Sequence, residues 1–140
     1  MPLAVDASSP ARVTGALTNG TVAVTTGSFD PPASVLVACV GANVRPNGGT
    51  VTMSNSGAAL TWTTVAERSA ADSGGLSGFA GIYVATLGAS RTGMTVTATL
   101  TSSVANSNEI NTPSIKVYVV TGAAASPAGA SAEGSSATNN

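Results

Sequence analysis

The segment Phe29–Ala42, FDPPASVLVACVGA, constrains the fold more than any other stretch of the chain. Pro31 and Pro32 stop whatever precedes them, and an unbroken apolar run follows, Val35-Leu36-Val37-Ala38-Cys39-Val40. A run this short and this rich in β-branched residues reads as a strand. Half-buried strands alternate polar and apolar residues. This one does not, so it is expected to be covered on both faces.

Other segments supply partners for it. Arg12–Leu17 reads as a short edge strand. Asn19-Gly20 is a turn signal, and Thr21–Thr25 then alternates as a half-buried strand should. Asn19-Gly20-Thr21 also matches the glycosylation sequon, but is read here as the turn. Thr50–Met53 alternates again, and so does Leu60–Val65, which places Leu60, Trp62 and Thr64 on one face. Phe79–Leu87 is a second long apolar run, and Gly81 within it marks a bulge or a close backbone approach. Met94–Leu100 has the cleanest period of two: Met94, Val96, Ala98 and Leu100 face in and the threonines face out. Pro113 precedes the last strand, Ile115–Val120. Asn43–Gly49, Glu67–Gly78 and Ser102–Thr112 read as connections.

About eight short strands separated by turn signals, with no amphipathic helix, predict an all-β chain folded as an antiparallel two-sheet β-sandwich, immunoglobulin-like or jelly-roll-like. A β-barrel is the alternative. The runs from Val35, Phe79 and Ile115 belong at the centre, with Trp62 as the plug between sheets. Residues 1–10, held open by Pro2 and Pro10, form an extended N-terminal arm that frays or docks on a neighbour. The sandwich domain spans 11–123. Residues 124–140, rich in Ser, Ala and Gly, form a second arm: a tail that packs on a neighbouring subunit or a linker to something beyond.

Only 8% of the 140 residues are charged, against about 25% in typical soluble domains. Small neutral side chains carry the solvation instead. Such a surface suits contact with other protein, because few charges need desolvating. The net charge of −1 is spread singly, with no basic patch for a nucleic-acid backbone. No apolar run reaches membrane-span length, and the N-terminus lacks the features of a signal peptide.

The chemistry-bearing residues are few. With no histidine and one cysteine, neither a Ser–His–Asp or Cys–His nucleophile nor a zinc site can be assembled from this sequence. Cys39 reads as a small buried hydrophobe. Lys116 sits in a strand and is expected to face solvent. Asp30, Glu67, Asp72 and Glu109 are the candidates for a glycosidase pair, and Asp72 with Glu109 for a calcium site, but they are not clustered in the sequence. Trp62, Tyr83 and Tyr118 are read as packing residues, with a sugar-stacking platform as the other reading. Asp72–Gly78 is glycine-rich but lacks the Lys-Ser/Thr ending of a phosphate loop. No catalytic, cofactor-binding or metal-binding residue is assigned, and the chain is expected not to be an enzyme.

The order of motifs resembles a family of β-sandwich modules in accessory virion proteins of tailed phages, especially those of actinobacteria. It is carried by Phe29-Asp30-Pro31-Pro32 before Val35–Val40, Leu60-Thr61-Trp62, Gly81-Ile82-Tyr83-Val84-Ala85, Met94–Thr99, and Lys116–Ala123 closing in Thr-Gly-Ala. It covers Val13 to Ala123. The resemblance implies a multi-copy structural protein of the virion, assembled in the host cytoplasm: a minor tail or tail-fibre-base component, or a capsid decoration protein. Its partners would be tail or major capsid subunits and copies of itself. A module that adheres to a host cell-surface glycan is the further alternative. Nucleic-acid and membrane partners are not expected.

Overall fold

The computed structural model describes residues 2–16, 18–44, 49–71, 77–102 and 109–123. Ten strand segments lie there: β1 (Ala4–Val5), β2 (Val13–Thr14), β3 (Thr18–Asn19), β4 (Thr21–Thr25), β5 (Ser34–Val44), β6 (Gly49–Asn55), β7 (Thr63–Ala71), β8 (Ser77–Leu87), β9 (Val96–Ser102) and β10 (Glu109–Thr121). Among the described residues there is no helix. All strand pairs are antiparallel. The larger sheet runs β1-β10-β5-β8-β7, with β2 and β3 also on the β10 edge, and the smaller runs β4-β9-β6. The chain is therefore an all-β sandwich of two unequal sheets, not a barrel.

The apolar run anchors it. β5 lies between β10 and β8, and Leu36, Ala38 and Val40 point into the core with Tyr83, Ile115, Val117 and Val119. The alternate residues Val37 and Cys39 are only half-buried. The cover expected on both faces is thus complete on one and partial on the other, where Val35 is buried but Val37 and Cys39 are not. β9 supplies the opposing layer: Val96, Ala98 and Leu100 are buried, as is Met94 just before the strand. Each large apolar side chain so buried contributes about 1.5–3 kcal/mol. Phe29 and Met94 close the end of this layer through reciprocal 2.9 Å backbone hydrogen bonds. On the outer side of the small sheet, Thr25 and Thr97 hydroxyls share a 2.8 Å hydrogen bond, and Thr21 donates to Thr101 at 3.3 Å.

The N-terminal segments act together as one interrupted edge strand. β1, β2 and β3 pair in turn with Thr121–Val120, Ile115–Ser114 and Ile110–Glu109 of β10. Between β1 and β2 the chain loops out, and Asp6 N–H donates to Val119 O at 2.7 Å while Val119 N–H donates to Ser9 Oγ at 2.9 Å. Residues 2–10, expected as an arm that frays or docks on a neighbour, hydrogen-bond along β10 of their own chain. Gly20, at φ 84, turns the chain from the large sheet to the small one. The tail expected over 124–140 lies outside the described residues.

Several expected connections are partly strand. β7 continues through Glu67–Ala71, β8 begins at Ser77, and β10 begins at Glu109. A ladder satisfies backbone groups without apolar side chains, so the polar ends of these segments stay paired. Conversely, β7 starts only at Thr63: Leu60 and Trp62 belong to the connection before it. Both still lie partly buried against the core. A bulge between Thr64 and Ala66 breaks the alternation, and Thr64 is exposed.

Candidate functional site

The outer face of the larger sheet carries the features that packing within the chain does not use. Register across β10, β5 and β8 sets its rows: Val120–Val35–Thr86, Tyr118–Val37–Val84, Lys116–Cys39–Ile82 and Ser114–Gly41–Ala80. The first three rows are mainly apolar. Ile82 is 40% exposed and Tyr118 38%. Lys116 is the only charged side chain in these rows, and it is held down. Its Nζ donates to Pro10 O at 2.6 Å and sits 5.1 Å from the Tyr118 ring centroid. It is half-buried rather than projecting into solvent. At the β1 edge Val5 adds an apolar side chain that is 61% exposed.

The fourth row opens into a cleft. Pro113 has no N–H to donate, and the β10–β5 register slips between Asn111 and Ser114 to accommodate it. Thr112 absorbs the slip at φ 47. A β-branched residue held there costs roughly 1–3 kcal/mol, and such strain gathers at functional sites. The cleft has a volume of about 510 Å³ between Arg12, Thr14, Gly41, Asn43, Thr112 and Ser114. Asn43 Oδ1 is buried and accepts no hydrogen bond. Gly41 forms open floor: a Cβ there would meet Ser114 Oγ at 3.6 Å and Phe79 O at 3.8 Å, ordinary contacts. A second depression of about 450 Å³ lies by the turn Ser90–Gly93. There Arg91 Nη1 already donates to Ala58 O at 2.6 Å, and Asp30 Oδ1 accepts from Gly93 N–H at 2.7 Å.

The residues singled out from sequence fall as follows. Asp30 serves that turn, and Glu67 accepts a 2.6 Å hydrogen bond from Tyr83 Oη. Asp72 lies outside the described residues, as does the Glu109 side chain. Among the described residues no three His, Cys, Asp or Glu side chains form a metal-binding group, and no helix is long and apolar enough to cross a membrane. The three aromatic residues do not form one platform. Tyr83 is in the core, Trp62 lies against the core, and Tyr118 stands on the outer face. Cys39 is half-buried on the outer face, and burial raises its thiol pKa. The bulge cleft was missed in the sequence. Its signal was Thr112-Pro113 inside a strand, opposite a glycine at 41.

Compared with known protein families, curated proteins and solved structures, the chain matches none of them.

Proposed function

We propose that this chain is a non-enzymatic, multi-copy structural protein of a tailed-phage virion, and that it is a minor tail or tail-fibre-base component. One observation carries the structural part: the outer face of the central strands β10, β5 and β8 is mainly apolar, with Ile82 and Tyr118 exposed and Val37, Cys39, Val84 and Val120 half-buried around them. Contiguous apolar surface on a sheet face marks contact with another protein. The low charge of the chain supports the same reading, since docking such a surface desolvates little. The phage part rests on the order of motifs from Phe29 to Ala123. Capsid decoration is the nearest alternative, and the two differ in copy number.

Quantitative mass spectrometry of purified virions tests the assignment. A low copy number relative to the major capsid protein supports a tail component, and a number matching the shell moves the chain to capsid decoration. Absence from virions overturns both. Ile82→Lys, at an exposed position, is expected to fold normally and fail to incorporate.

A further inference from the structure

We propose that the bulge cleft at the lower end of this face binds a glycan unit bearing an acidic group. The inference stands apart from the assembly reading, because it concerns the fourth row and not the apolar rows above it. Three observations converge there. The backbone is strained at Thr112, where β10 bulges away from β5 and leaves a cleft of about 510 Å³. Asn43 lines this cleft, and its buried Oδ1 has no hydrogen-bond partner. A cation, Arg12, is exposed at the rim with no acidic partner among the described residues.

These groups define the ligand's chemistry. The Asn43 amide both donates and accepts, and a sugar hydroxyl would pair its unpartnered Oδ1 once the side chain turns that oxygen toward the cleft. The Thr14, Thr112 and Ser114 hydroxyls each donate and accept, so they match a ligand whose groups do the same at close spacing. Arg12 presents a planar fork of donors suited to a carboxylate or phosphate. None of the residues lining the cleft is aromatic, which disfavours a nucleobase. Gly41 keeps the floor open: its missing side chain is room for the ligand, and space rather than backbone conformation is what a side chain there would take away.

The test is a heteronuclear NMR titration of the full chain with glucuronic acid and with glycerol phosphate, using glucose and inorganic phosphate as controls. The expected result is a saturable set of shifts at Arg12, Gly41, Asn43 and Ser114 with one of the acidic polyols, and weaker binding of both controls. Arg12→Gln is expected to weaken binding about tenfold, the scale of one charge-assisted hydrogen bond. Gly41→Val, which fills the floor, is expected to abolish it, with thermal unfolding and the amide spectrum confirming that both variants fold. Inorganic phosphate binding as tightly as the acidic polyols would reduce the cleft to an anion site and overturn the proposal. So would shifts that survive Gly41→Val, or no saturable shift with any probe.

Discussion

Tyr83 Oη donates a 2.6 Å hydrogen bond to Glu67 Oε2 across Gly81, the residue that pairs with Glu67 in the β7–β8 ladder. The ring lies back along its own strand over Gly81, where a Cβ would come within 2.6 Å of Tyr83 Oη. Gly81 is therefore the space that lets a buried phenol reach the margin of the sandwich and find its acceptor. Glu67→Ala removes that acceptor and leaves the hydroxyl buried without it. The expected loss is about 1–3 kcal/mol in urea unfolding, with Glu67→Gln losing less because its amide oxygen still accepts.

The same pair predicts a response to alkali. Burial first, then the hydrogen bond and charge of Glu67, push the Tyr83 phenol well above its ordinary value of 10.0. The folded state then holds a proton that the unfolded state releases. Its contribution to stability is whole below about pH 10 and is lost as pH rises beyond it. Unfolding measured from pH 8 to 11 is expected to show that decline, and Tyr83→Phe is expected to flatten it.

Trp62 lies partly buried against the core from the connection before β7, and its Nε1–H is buried without an acceptor. Partial burial places Trp62→Ala at about 2 kcal/mol, below the ~3–5 of a fully buried aromatic. Trp62→Phe keeps much of the contact and removes the unpaired donor, so it is expected to cost under about 1 kcal/mol. Thermal unfolding of the two variants distinguishes them.

Residues 2–10 cover one edge of β10 through β1, Asp6, Ser9 and the Pro10 carbonyl. Deleting them bares that edge and frees Lys116. The truncated chain is expected to unfold at lower temperature and to aggregate more readily, as uncovered edges do. Light scattering during a thermal ramp reads both effects.

The parts of this fold that were legible in the sequence are those where side-chain pattern and burial coincide. Met94–Leu100 alternates strictly and packs accordingly, and the unbroken Val35–Val40 run is the centre of the larger sheet. What the pattern could not carry were pairings set by a distant partner. Ala4–Val5 are strand only because β10 offers an edge, and Glu109, Asn111 and Thr112 around the single apolar Ile110 extend β10 with a sequence that resembles a loop. The cleft shares this origin. Thr112-Pro113 looks like the punctuation before a strand, and only the register with Gly41–Asn43 turns it into a bulge inside one. The half-open state of Cys39 was hidden by its neighbours: six apolar residues in a row do not say which face lacks cover.

Cys39 also supplies the most direct test of the assembly claim. It is the only cysteine, half-buried on the outer face between Lys116 and Ile82, and burial raises its thiol pKa. Iodoacetamide should therefore modify it slowly but measurably in the isolated folded chain, and faster in urea. The decisive measurement is the modification rate in the assembled particle against that of the isolated chain at the same pH. A strong drop on assembly is predicted, because a neighbour covers Val37, Cys39 and Ile82. An unchanged rate would mean that this face meets only water, and would contradict the account.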